Sequence, residues 1–196
     1  MRISNIERIK IYFSILSLLL IACSEKVNKV DNRVNNTGRP VNKKSARQVG
    51  IGATIFNDLK HAPETSYKFS WEKALSMEGD SGPYVQYAVV RAKSVLKKGK
   101  VGVGKEIKLV VGDSEKVVLR KLYRFGEVVE RSAKEFSPNL LCEYLLELSR
   151  SFNGFYGGNK IVGDKNEGFR LVLTSAVAQV LENGLRLLHI EVPAKM

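Results

Sequence analysis

Residues that carry covalent or metal chemistry are scarce in this sequence. There are two cysteines, Cys23 and Cys142, far apart and in different contexts, and two isolated histidines, His61 and His189. No Cys/His spacing resembles a zinc site, so no metal centre is predicted. Cys142 sits inside an apolar pattern of helical period, where a free thiol acts as a small hydrophobe. No nucleophile and base stand in a recognisable motif, and no carboxylate pair stands out. The one glycine-punctuated basic stretch, KGKVGVGKEIKLVVG, lacks the spacing and the Gly-Lys-Ser/Thr ending of a phosphate loop. Acidic charge is also in deficit. Lys and Arg number 32 against 20 Asp and Glu, a net charge of +12. Such a surplus points to a polyanionic partner, nucleic acid first and an anionic membrane surface second.

Long hydrophobic runs are missing except at the start. Residues 1–22, MRISNIERIKIYFSILSLLLIA, place Arg2, Arg8 and Lys10 before an apolar stretch broken only by Ser14 and Ser17. The run is short for a transmembrane helix and has the outline of a secretory signal. Leu20-Ile21-Ala22-Cys23 resembles a bacterial lipobox, which would make the chain a membrane lipoprotein through Cys23. A truncated or frameshifted gene start gives the same outline. Residues 24–45 are polar, basic and Asn-rich, a composition that buries too little apolar area to fold alone, and they are read as a linker.

From residue 46 the pattern becomes helical. Val49, Ile51, Ala53, Ile55, Phe56 and Leu59 form a short apolar run. Ser70 is placed to cap a helix carrying Trp71, Ala74 and Leu75. Pro83 suits the first turn of the next helix, which runs to about Lys98 and is stopped by Gly99. A short strand is expected at 107–111. Val118, Leu122, Phe125, Val129 and Phe136 share a helix face, broken near Gly126. Ser137 and Pro138 open the clearest helix, with Leu141, Tyr144, Leu145, Leu148, Phe152 and Phe155 at helical spacing. A loop follows at 157–168. A last helix over about 169–188 is interrupted by Asn183 and Gly184, and the tail HIEVPAKM is extended. The expected fold is an all-α helical bundle of about five helices over 46–196, with a non-globular N-terminal extension.

Tyr84, Tyr87 and Arg91 recur at three- and four-residue spacing and share one face of their helix. Two aromatic rings beside a guanidinium suit unstacked bases of single-stranded RNA. Equally, both tyrosines can pack in the core with their hydroxyls bonded.

The stretches ARQVGIGATIFNDL, YKFSWEKALSMEGDSGPYVQYAVVRAKSVL, EKVVLRKLYRFGEVVERSAKEFSPNLLCEYLLELSRSFNGFY and RLVLTSAVAQVLENGLRLLHIEVPAKM resemble, in order, the C-terminal part of the class I arginyl-tRNA synthetases. The run Glu-Gly-Asp-Ser-Gly-Pro-Tyr-x-Gln-Tyr-Ala-x-x-Arg is its most specific motif. The resemblance covers about three quarters of the chain and implies the helical DALR anticodon-binding domain. It implies tRNA, arginine tRNA in particular, as partner, with contacts from Tyr84, Tyr87, Arg91 and Met196 and a structural place for Gln86. The signature is degraded: Asn139 and Cys142 stand where the family usually has His and Ala, and Gly154 replaces a bulkier polar residue.

His-x-Gly-His and Lys-Met-Ser-Lys-Ser, the family's adenylate-forming signatures, appear nowhere. The resemblance therefore implies no cofactor in this chain. The ATP and arginine sites would lie in a catalytic domain supplied separately, and the chain would be inactive alone. A cytosolic ligand implies a cytoplasmic location and makes the truncated or frameshifted start the preferred reading. Two other readings stay open. One is a stand-alone RNA-binding protein derived from a synthetase. The other is a lipid-anchored exported protein.

Overall fold

The structure is a computed structural model and describes residues 42–99 and 111–196. The signal-like segment, Cys23, most of the linker and nearly all of the strand expected at 107–111 lie outside the described residues. Among the described residues there are six helices of ten residues or more and one isolated turn: α1 (Lys43–Leu59), α2 (Trp71–Ala74), α3 (Gly82–Lys98), α4 (Asp113–Tyr123), α5 (Phe125–Lys134), α6 (Pro138–Gly158) and α7 (Glu167–Leu187). The all-α expectation holds, with more helices than about five.

Local sequence chemistry explains most of the boundaries. Asn42 Oδ1 accepts from the backbone N–H groups of Lys44 and Ser45 at 3.1 and 3.3 Å, so α1 begins inside the stretch whose composition reads as linker. Ser70 and Ser81 cap α2 and α3 in the same way, through Lys73 N–H at 3.4 Å and Tyr84 N–H at 3.1 Å. Pro83 occupies the first turn of α3, where its missing N–H costs nothing. Ser137 is the residue before α6, yet its hydroxyl donates to Glu135 O at 3.0 Å and makes no cap bond.

Two helix ends differ from the sequence reading because of left-handed residues. Phe136 was expected on the apolar face of its helix; instead it has φ 50° and is 70% exposed. It sits just past α5 with Phe136 N–H on Ala133 O and Ser137 N–H on Ser132 O, a Schellman closure. His189, with φ 58°, closes α7 likewise through bonds to Arg186 O and, from Ile190 N–H, to Leu185 O. The break between α4 and α5 falls at Arg124, two residues before Gly126. The interruption expected at Asn183 and Gly184 does not occur, and α7 continues through both. Gly184 serves close packing instead. A Cβ there would stand 2.5 Å from Leu145 Cδ2 of α6.

α3 is the central helix and packs against α1, α6 and α7, while α4 and α5 cover the outer side of α6. Phe56, Val85, Ala88, Val89, Leu145, Leu148, Phe152, Leu171, Val177 and Leu181 form the centre of one continuous apolar core. Each fully buried residue of this size stabilises the fold by about 1.5–3 kcal/mol. Cys142 lies within it, its thiol pushed up to about 12 by burial. Tyr67, Phe69, Trp71, Leu75 and Met77, in the connector between α1 and α3, stay outside the core with exposures of 38–44%. No helix among the described residues is long and apolar enough to cross a membrane.

Two tight features hold the bundle. The first is the crossing of α1 and α3, where a Cβ on Gly82 would lie 2.7 Å from Gly52 O and 2.8 Å from Phe56 Cβ. Gly82→Ala should therefore destabilise the protein by about 1–3 kcal/mol, because backbone has to move. A urea midpoint equal to that of the wild type would contradict this contact.

The second is a buried ion pair. Glu115, in the first turn of α4, accepts from Arg170 Nε at 3.0 Å and from the Ser114 hydroxyl at 2.9 Å. Arg170 also donates to Lys160 O and Asn159 Oδ1. Burial opposes the Glu115 charge, but its own backbone N–H, Ser114 and Arg170 outweigh it and hold the carboxyl below its ordinary value of 4.5. A depressed native value means stability that is present above the unfolded-state pKa and lost as pH falls through the native one. Glu115→Gln should lower unfolding stability at pH 7 by about 1–3 kcal/mol. It should also flatten the fall in urea midpoint below the ordinary carboxylate range.

Candidate nucleic-acid interface

The helical period puts Tyr84, Tyr87 and Arg91 on one side of α3, and the packing of α3 on α6 decides what they meet. The Arg91 guanidinium carbon lies 4.6 Å from the Tyr87 ring centroid and 5.2 Å from that of Tyr156 on α6. The cation thus touches two aromatic rings, an arrangement worth about 0.5–1 kcal/mol per contact at a partly exposed site. Arg91 Nη1 donates to Asn153 Oδ1 at 2.7 Å, and Asn153 Nδ2 donates to the Tyr84 hydroxyl oxygen at 2.9 Å. One amide therefore joins Tyr84 to Arg91. Tyr156 is 39% exposed, while Tyr84, Tyr87 and Arg91 are half-buried.

The two tyrosines differ in their surroundings. Tyr84 packs against the core and has a bonded hydroxyl, as a structural tyrosine would. Tyr87 instead lends its ring to the guanidinium. Asn153 and Tyr156 were missed by the sequence reading. Their signal was the wheel of α6: Phe152 and Phe155 point to the core, and Asn153 and Tyr156 fall one step round on its border. Nothing in the sequence says that this border meets α3.

Gln86 has the structural place expected of it. Its side chain is fully buried, and Nε2 donates to Gln48 O of α1 at 3.2 Å and to Glu191 O of the tail at 2.7 Å. Gln48 Nε2 reaches the Glu191 carboxylate at 2.8 Å. The left-handed His189 turns the chain so that Ile190 enters the core ahead of these bonds. The C-terminus is thereby tied beside the first half of α3. Met196 lies half-buried at its end, but the bonds and ring contacts that gather Tyr84, Tyr87, Arg91 and Tyr156 do not include it. Among the described residues no three His, Cys, Asp or Glu side chains are grouped to hold a metal ion.

Residues 85–196 match the DALR anticodon binding domain. The chain belongs to that family. The DALR chain is also 39% identical over 163 residues to the arginine–tRNA ligase of Latilactobacillus sakei, a match covering 82% of this chain and 29% of the ligase. Arginine–tRNA ligase 1 of Bacillus cereus is 40% identical over 152 residues, covering 77% and 27%. Among solved structures, Thermus thermophilus arginyl-tRNA synthetase superposes with a TM-score of 0.78 at 31% identity, covering 92% of this chain and 32% of that one. The Plasmodium falciparum enzyme, at 21% identity and a TM-score of 0.72, shares the fold. The chain spans less than a third of the length of these relatives. It corresponds to the DALR anticodon-binding part of arginyl-tRNA synthetases.

If Gln86 anchors the tail, Gln86→Leu removes the bond that ties α3 to Gln48 O and takes from the Glu191 carbonyl its donor in α3. The Ile190 amide, bonded to Leu185 O at 2.9 Å, should then exchange its hydrogen at least about tenfold faster, as a 1.4 kcal/mol loss of local stability would produce. Hydrogen exchange of the C-terminal peptide reads this directly, and unchanged protection would contradict the anchor.

Proposed function

We propose that this chain binds the anticodon arm of a tRNA, arginine tRNA in particular, as the C-terminal part of a cytoplasmic arginine–tRNA ligase. The observation that carries the reading is the Arg91 guanidinium in contact with the rings of Tyr87 and Tyr156, at the border of the helical domain of a chain whose net charge is +12. Rings and guanidinium offer planes on which splayed bases stack, and the basic surplus attracts the phosphates. The backbone contacts position the RNA, and the base contacts supply its specificity. Tyr84, Tyr87, Arg91 and Tyr156 form the reading face, and Met196 closes it from the tail. In such a ligase ATP and arginine would bind in the catalytic part, outside the anticodon-binding domain. No His-x-Gly-His or Lys-Met-Ser-Lys-Ser sequence occurs in its 196 residues.

The altered signature residues Asn139, Cys142 and Gly154 favour a second reading, a stand-alone RNA-binding protein that has kept the fold and relaxed its specificity. Fluorescence anisotropy of the 196-residue chain with arginine tRNA, at fixed salt, separates the two when repeated with an altered anticodon. The ligase reading expects a clear preference for the native anticodon. Tyr87→Ala should weaken native binding by roughly 5- to 150-fold, the value of about 1–3 kcal/mol for one stacked base. Equal binding of both RNAs, fading together as salt rises, would leave only non-specific attraction.

A further inference from the structure

We infer that Asn153 is a positioning residue that fixes the direction of the Tyr84 hydroxyl proton, so that the site presents a donor there and reads a hydrogen-bond acceptor on an unstacked base. The inference rests on the RNA-binding reading and goes a step further, to the chemistry of the edge being read.

Which groups can donate decides the direction of these bonds. A guanidinium has donors only. Arg91 Nη1 lies 2.7 Å from the Asn153 side chain, so the atom facing it must be the amide oxygen. This settles the orientation of the amide, which a contact with a hydroxyl alone would leave open. The amide nitrogen then faces Tyr84 at 2.9 Å and donates to its hydroxyl oxygen. A phenol has one proton and can also accept. Since the Tyr84 oxygen accepts from Asn153, its own proton points elsewhere, and no side chain or carbonyl among the described residues accepts it. The direction of the chain of bonds is thus set at Arg91 and transmitted to Tyr84. Arg91 in turn is held by its contacts with Tyr87 and Tyr156. Bonds in such a chain polarise one another, which makes the outward O–H a better donor. Beside it stand the other N–H groups of Arg91, donors as well. The matching ligand group is a carbonyl oxygen or ring nitrogen of a base.

Two substitutions test this on one readout. Asn153→Asp keeps an acceptor for Arg91 but has no N–H to give. Tyr84 must then turn its proton inward, and the outward donor is lost. Tyr84→Phe removes the donor outright and needs no change at Asn153. Fluorescein-labelled anticodon stem-loop RNAs carrying each of the four bases at each loop position are titrated with the 196-residue chain and its variants. Thermal unfolding confirms that each variant is folded. The added charge of Asn153→Asp weakens all RNAs together, so the quantity read is the affinity ratio between bases.

The wild type is expected to favour one base at one position by about five- to tenfold, the size of one net hydrogen bond. Each variant should bring that ratio below about twofold, and the double variant should bring it no lower. A wild-type ratio retained by folded Asn153→Asp would reduce Asn153 to a structural residue and overturn the inference alone. So would a ratio retained by Tyr84→Phe. If the wild type binds all four bases alike at every position, base reading itself fails, and the inference fails with it.

Discussion

The buried amide of Gln86 is the constraint on which the arrangement depends. It sits in the middle helix and spends its two N–H donors on backbone carbonyls of α1 and of the C-terminal tail, Gln48 and Glu191. A buried amide donor without a partner costs about 1–3 kcal/mol, so the fully buried Gln86 side chain favours the arrangement that holds both segments against α3. The geometry needs room, which Gly52 supplies: a Cβ there would lie 2.7 Å from Gln86 Nε2. The neighbouring contact of Gly82 with Gly52 O brings α1 and α3 close enough for the amide to reach. A polar side chain in the core thus sets the crossing of two helices and the course of the tail.

The candidate RNA-reading face is built on the next positions of the same helix. Gln86 points inward and Tyr87 lies half-buried beside it, one residue further along α3. The rigid part of the domain therefore extends to the face. Arg91 is kept in place by an amide on one side and two rings on the other, rather than by an acidic partner. Among the described residues no carboxylate pairs with it, which suits a phosphate or a base carbonyl. Where the fold needs a neutralised cation it uses a carboxylate instead, as in the buried pairing of Arg170 with Glu115. The two arginines show the same side chain put to structural and to ligand-facing use.

Much of this was legible in the sequence where the signal was local. Pro83 announced the start of α3, and the periodic leucines and phenylalanines of α6 announced its buried face. The all-helical class followed from those patterns. The features that were not legible depend on tertiary contact or on rare backbone geometry. Gly184 reads as a helix breaker, yet its missing side chain is what lets α7 approach Leu145. Phe136 and His189 adopt left-handed conformations that usually fall to glycine, so an apolar or polar residue at either place hides the turn. Composition placed the start of the domain at residue 46, whereas the capping bonds of Asn42 begin the helix earlier. Tyr156 and Asn153 became visible only when the border of α6 met α3. The resemblance to arginyl-tRNA synthetases supplied Tyr84, Tyr87, Arg91 and Met196, and the geometry joins the first three to those two residues.

The central claim is that RNA meets this domain at the face formed by α3 and α6, and not merely at its basic surface. Side-chain NMR of the chain with labelled tyrosine and arginine, titrated with an anticodon stem-loop, tests it most directly. The account predicts that the resonances of Tyr84, Tyr87, Arg91 and Tyr156 shift together at low RNA ratios, while exposed Arg120 of α4 barely moves. Shifts spread over the surface arginines, with the Arg91 and Tyr156 signals unmoved, would contradict it.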